Sequence, residues 1–209
     1  MRHGESVGNK KREFLGHTDL PITAWGEAQA ERAAEYLASI GFAPDAVYAS
    51  PLCRAAKTTD IALSKTRAPR VVYLDGLREI FAGEWEGKSF PELDEKYPEE
   101  RRLWHDDIGH ARPVGGEAVC ELYGRVVSTV LTIARQHEGE TVFIGTHATP
   151  IRAVETYARG MSADMMASVP WATNASLSVY EIEGESVKSL AYSYDEFLAV
   201  SDEEKRLNY

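Results

Sequence analysis

Cysteine is nearly absent from this chain of 209 residues: Cys53 and Cys120 are the only two. Two thiols without metal-binding spacing exclude a zinc ribbon and a disulfide framework, and they suit a reducing, cytoplasmic compartment. The chain also lacks an apolar run of membrane-spanning length and a visible signal peptide, so no membrane partner is expected. Positive charge is in the minority, with 23 Lys and Arg against 33 Asp and Glu and a formal net charge of −10. That balance argues against nucleic acid or an anionic membrane surface as a partner, and it leaves room for a local basic pocket that attracts a small anion. Internal repeats, low-complexity tracts and linkers are missing as well, so the reading is a single domain over 1–209. Hydrophobic content of 44% and charged content of 27% are those of an ordinary globular chain.

The most informative run is Arg2-His3-Gly4-Glu5-Ser6, almost at the start of the chain. The arginine offers a fixed fork of donors for a dianion, and the histidine can attack phosphorus or shuttle a proton. The glycine lets backbone approach a ligand closely.

Apolar runs bounded by turn residues predict buried strands over 46–49, 71–74, 141–145 and 177–182, with a weaker one over 187–192. Helical patterns alternate with them. Thr23 caps a predicted helix over 24–40 that stops at Gly41. Ser50-Pro51 reads as an N-cap followed by a first-turn proline, opening a helix to about Leu63. Val119, Leu122, Val126, Val130 and Ile133 form one face of a long helix ending near Gly139, and Pro150 opens another with Ile151, Val154 and Tyr157 on one face. The alternation predicts an α/β fold: a mostly parallel sheet covered by helices on both faces, three layers in all. Residues 84–116 are charged and carry two tryptophans, and they read as a long excursion from the sheet, the usual place for a lid or specificity loop.

In open parallel sheets ligands bind beyond the carboxyl ends of the strands. Arg54 follows the strand at 46–49 on a first helical turn, Glu79 follows the strand at 71–74, and His147 follows the strand at 141–145 just before a helix N-terminus. Together with Arg2 and His3 they give one face the inventory of phosphoryl chemistry: cations for the charge, a nucleophile and a general acid. Singly, each has an ordinary reading as a turn, a solvated helix residue or a helix surface.

At these residues the chain resembles the histidine phosphatase superfamily, which includes the cofactor-dependent phosphoglycerate mutases. The likeness runs through Arg2-His3-Gly4-Glu5-Ser6, the stretch from Gly16 to Thr23, Ser50-Pro51-Leu52-Cys53-Arg54-Ala55, Leu77-Arg78-Glu79 with Gly83-Glu84-Trp85-Glu86-Gly87, Gly115-Gly116-Glu117, Thr146-His147 and Asn174-Ala175-Ser176. It implies a phosphoglycerate mutase-like fold and a site in which His3 is the nucleophile and forms a phosphohistidine. Arg2, Arg54 and His147 then hold the phosphoryl oxygens, and Glu79 protonates the leaving oxygen and later activates water. Asn9 matches a phosphate-pocket asparagine, and the backbone amide of Ala148 is in place to reach the phosphate. The chemistry calls for no metal and no cofactor, and the expected partner is a small phosphorylated metabolite.

Within that family the lid points to a phosphatase rather than a mutase. Glu79 is followed by Ile80-Phe81-Ala82-Gly83 instead of the Arg-His-Tyr-Gly of the mutases, and Phe90 stands where a mutase has lysine. His105 and Asp106 replace two arginines after Trp104, and Asp106 has the wrong charge for gripping a phosphoglycerate. Gly-Glu-Trp-Glu-Gly is closer to the broad-specificity, fructose-2,6-bisphosphatase and ribazole-phosphatase branches. The competing readings are a cofactor-dependent phosphoglycerate mutase and a phosphoester-binding protein without turnover.

His105-Asp106-Asp107 and His110 look like metal ligands, but the histidine spacing does not share one helical face. His17 falls in a family-like loop at the pocket mouth, Trp25, Trp85, Trp104 and Trp171 read as packing, and Cys53 reads as a helix-packing residue. The resemblance also implies a buried strand of about five residues ahead of Arg2. With only Met1 there, the expectation is a chain that starts at an internal methionine or is a fragment, or one in which another segment fills the gap. Either of the first two leaves Arg2 and His3 on a fraying terminus, less stable and less active than in a chain with that strand.

Overall fold

Apolar residues spaced two apart in short strands can feed two cores at once. In the computed structural model, which describes residues 1–198, β1 (Ala46–Ala49), β2 (Val72–Tyr73) and β3 (Val142–Gly145) form a parallel sheet in the order β2-β1-β3. Val47 pairs with Phe143 and Ala49 with Gly145. Val47 and Phe143 join one cluster with Ala33 and Leu37 of α2 (Ala24–Ser39) and Ala62 of α3 (Cys53–Ala62). Tyr48, Val142 and Ile144 point the other way, against Leu122, Val126, Val130 and Ile133 of α6 (Val119–Gln136) and Ala153 and Val154 of α7 (Ala148–Ala158). The result is the expected α/β fold in three layers.

Several elements differ from the sequence reading. The strand at 71–74 is neither long nor buried: β2 has two residues, each 48% exposed, because it is the sheet edge and has only β1 beside it. The last two strands, β4 (Leu177–Glu183) and β5 (Ser186–Tyr194), form a separate antiparallel hairpin. A connection through Gly184, with φ of 61°, is too short to cross over into a parallel position. Helix α3 begins at Cys53, not Pro51, since the Ser50 hydroxyl is engaged with Leu52 and His147 instead of capping the helix. Helix α7 begins at Ala148, with Pro150 tolerated in a first turn whose N–H groups have no intrahelical acceptor.

Residues 1–3 do not fray. The backbone nitrogen of Met1 donates to Ile144 O (2.8 Å), Thr146 N to Met1 O (2.9 Å) and His3 N to Thr146 O (3.0 Å), which carries parallel pairing past the end of β3. On the other side Arg2 N donates to Ser176 O (3.1 Å) and Ala175 N to His3 O (3.1 Å). Held between two segments, Arg2 and His3 are each only 5% exposed. The chain then passes through the single-turn helix α1 (Val7–Lys11), capped by Ser6.

The excursion at 84–116 is helical, and its apolar residues pack on the core. It contains α4 (Phe90–Lys96) and α5 (Pro98–Asp106), and its apolar residues Trp85, Leu93, Trp104 and Ile108 belong to the α6–α7 core cluster. Phe14 and Trp104 meet the Trp85 ring edge-on at 5.3 and 5.7 Å, in the geometry aromatic pairs prefer. Among the described residues, no helix is long and apolar enough to cross a membrane.

Candidate active site

The parallel sheet delivers several chain segments to one end. Ser50 follows β1, His147 follows β3 as the N-cap of α7, and Arg54 lies in the first turn of α3. Residues 1–3 lie alongside β3, which sets His3 against His147 with ring centroids 5.2 Å apart and planes at 63°. His3 Nδ1 lies 2.7 Å from the carbonyl oxygen of Gly4. A carbonyl only accepts, so Nδ1 carries the proton and Nε2 keeps its lone pair. His147 Nε2 is 2.8 Å from Ser50 Oγ, and its Nδ1 is buried without a hydrogen-bond partner among the described residues.

The two arginines are oriented by main-chain carbonyls. Arg2 Nη1 donates to Ala172 O at 2.5 Å. Arg54, 1% exposed, donates through Nη2 to Gly16 O (2.7 Å) and through Nη1 to Thr18 O (2.9 Å). That loop is itself held by Glu86, whose carboxylate accepts from His17 N (2.6 Å), Thr18 N (2.7 Å), Thr18 Oγ1 (2.5 Å) and Ala82 N (3.0 Å).

Burial, followed by the charges of Arg54 and Arg2, pushes the His3 imidazole well below its ordinary pKa, against the opposing pull of the Gly4 bond. His147 is lowered in the same way, by burial first and then by Arg54, His3, Arg2 and Arg125. Burial lowers Arg54 too, and Glu79 is the foremost group opposing it. The cluster is thus rich in positive charge and holds two neutral rings, an environment that favours an anion.

Glu79 sits in the loop after the Asp75–Leu77 turn. Its carboxylate accepts from Ile80 N (2.9 Å) and from Thr149 N in the first turn of α7 (3.3 Å), and His17 Nε2 donates to its main-chain carbonyl (3.0 Å). Ala148 is the first residue of that helix, next to His147, with a backbone N–H free of intrahelical acceptors. Asn9 Oδ1 accepts from Ser6 N, Ser6 Oγ and Asn174 Nδ2, and Asn174 Nδ2 also donates to His3 O at 3.0 Å. The structure therefore brings His3, His147, Arg2, Arg54 and Glu79 to one end of the sheet, with Asn9 and Ala148 beside them.

Gly4, Cys53, Trp85, Trp104, His105 and His110 are engaged with other parts of the protein. Gly4 is crowded by protein: a Cβ there would lie 2.4 Å from Gly26 O, which is a tighter demand than approach to a ligand. Burial and then Asp19 push the Cys53 thiol up to about 11, which leaves it protonated. Trp85 and Trp104 are 0% and 7% exposed and pack on each other. His105 Nε2 lies 3.0 Å from Arg101 Nη2, and His110 pairs with Asp107 at 2.9 Å. Sequence reasoning missed Arg125, Ser50 and the bracing role of Glu86. Glu86 fell inside a recognised motif, but Arg125 looks like any arginine on a helix surface.

With this geometry in view, the similarity to known proteins is informative. A family model described as histidine phosphatase superfamily (branch 1) matches residues 1–195. The chain is 31% identical over 186 residues to phosphoserine phosphatase 1 of Hydrogenobacter thermophilus, covering 88% of this chain and 85% of that protein. It is 32% identical over 209 residues to a 2,3-bisphosphoglycerate-dependent phosphoglycerate mutase of Bifidobacterium longum, again covering 88% and 85%. Among solved structures, YhfR of Bacillus stearothermophilus superposes with a TM-score of 0.85 at 28% identity, covering 92% of this chain and 94% of that one.

Proposed function

This chain belongs to the histidine phosphatase superfamily (branch 1), and on that footing we propose that it hydrolyses small phosphomonoesters through a phosphohistidine on His3. The observation that carries the reading is the bond from His3 Nδ1 to Gly4 O, which leaves Nε2 with its lone pair in a buried site where Arg54 and Arg2 oppose its protonation. In the first step Nε2 bonds to phosphorus, the ester P–O bond breaks, and Glu79 gives its proton to the leaving oxygen. Arg2, Arg54, the Nδ1 side of His147, the Asn9 amide and the Ala148 N–H hold the three phosphoryl oxygens, where charge builds in the transition state. In the second step Glu79 takes a proton from water as its oxygen bonds to phosphorus. The P–N bond breaks, inorganic phosphate leaves and His3 returns to its starting form.

Relatives include both a phosphatase and a mutase, so the choice between them rests on the lid. A mutase needs spare cations for a second anionic group. Arg101 is 4% exposed, bound to Asp94 Oδ1 at 2.8 Å and set over the rings of Trp85 and Phe90. Arg102 points to solvent and pairs with Glu99. Neither is arranged to grip a diphosphorylated ligand, which supports hydrolysis. The substrate panel that tests this includes phosphoserine and 3-phosphoglycerate, the latter with and without 2,3-bisphosphoglycerate. Phosphate release is expected throughout. Isomerisation outpacing release would overturn the assignment, and tight vanadate binding without turnover would point to a binding protein instead.

A further inference from the structure

Glu79 lies on irregular backbone, with no helix or strand to fix its position. A general acid must nevertheless be held within hydrogen-bond reach of the leaving oxygen, and loops of this kind carry carbonyls that need donors. Arg125, on the face of α6 toward this loop, supplies them. Its Nη1 donates to Gly76 O (3.1 Å) and Arg78 O (2.9 Å), and its Nη2 donates to Glu79 O (2.9 Å). The remaining donors grip Glu117, with Nε to Oε1 at 2.6 Å and Nη2 to Oε2 at 2.8 Å. A guanidinium has five N–H donors, and here each has its own bond. Glu117 closes the ring: Phe81 N donates to its Oε2 (3.2 Å), and its own N–H donates to Phe81 O (2.8 Å). The backbone is thus tied down on both sides of Glu79. The loop is also pressed onto α6, since a Cβ at Gly76 would lie 2.2 Å from Thr129 Oγ1.

We infer that Arg125, locked by Glu117, is the positioning residue of Glu79 and sets where its carboxyl meets the leaving oxygen. The inference rests on the reading of Glu79 as the general acid. Arg125 has no contact with the reacting phosphoryl group in this role. Lysine cannot replace it, because an ammonium has three donors and no planar fork.

The test is a leaving-group series run with Glu79→Gln, Arg125→Lys and Glu117→Gln. p-Nitrophenyl phosphate has a leaving group that departs without a proton, whereas an alkyl phosphate needs one. Arg125→Lys is expected to lower kcat/KM, which reports only the steps through phosphoenzyme formation, by about 10²-fold for the alkyl ester, the scale of a misplaced catalytic group, while changing it by less than about threefold for the p-nitrophenyl ester. Glu117→Gln is expected to show the same selectivity with Arg125 intact, which covers the case in which Arg125→Lys folds poorly. Adding Arg125→Lys to Glu79→Gln is expected to bring no further selective loss. Equal losses on both esters from Arg125→Lys and Glu117→Gln, with Glu79→Gln still selective, would reduce the clamp to a structural brace and overturn the inference alone. A Glu79→Gln variant that loses kcat/KM equally on both esters would overturn the acid assignment, and the inference with it.

Discussion

His3 Nδ1 and the carbonyl oxygen of Gly4 are 2.7 Å apart, so a histidine is oriented by the backbone of its own neighbour. The bond selects the tautomer with a free Nε2, and burial beside Arg54 and Arg2 keeps that nitrogen unprotonated. Local chain geometry therefore aims the ring, and the rest of the fold sets its charge.

A pH dependence of stability follows. His3 and His147 both have folded pKa values well below the ordinary imidazole value of about 6.5. As pH falls through about 6.5, the unfolded chain takes up protons that the folded chain refuses, so stability falls with it. Urea denaturation from pH 8 to pH 5 is expected to show a decline that steepens as pH falls below about 6.5, and NMR is expected to show both rings neutral at that pH. A midpoint near pH 6.5 for either folded ring would contradict the account.

Glu86 braces the loop whose carbonyls hold Arg54. In Glu86→Gln an NH₂ replaces one oxygen and faces N–H donors, leaving buried groups unsatisfied at a cost of about 1–3 kcal/mol. Orthovanadate is expected to bind about tenfold or more weakly, with the Arg54 contacts loosened. Unchanged vanadate affinity in a folded variant would separate Glu86 from the arginine.

Gly4 faces the backbone of Gly26, which cannot move aside as a flexible side chain would. Gly4→Ala is expected to destabilise the fold by about 1–3 kcal/mol, from overpacking where α2 begins. Thermal melting would show this as a clear drop in Tm, and a wild-type Tm would show that the first turn of α2 gives way freely.

Much of the site was legible because the fold places ligand-binding residues where strands end. Arg54 and His147 needed only a buried run followed by a turn to be located, and Arg2-His3-Gly4-Glu5-Ser6 is distinctive by itself. What stayed hidden depends on contacts far along the chain. Arg125 reaches Glu79 O across a separation of 46 residues, and no local pattern marks it out on α6. Ser50 reads as a helix cap by its proline neighbour, yet its hydroxyl serves His147, 97 residues away. The strand at 71–74 was misjudged for the converse reason: its apolar residues look buried, but the edge position leaves them exposed. The packing of the 84–116 excursion is hard to see in the sequence because its surface charges outnumber the few aromatics that anchor it.

The central claim is a covalent phosphohistidine at His3. Rapid acid-free quenching with a ³²P-labelled phosphomonoester, followed by peptide mapping, tests it directly. The account predicts an acid-labile, base-stable label on the peptide containing His3, and no label and no turnover in His3→Ala. Label on another residue, or turnover retained in His3→Ala, would contradict it.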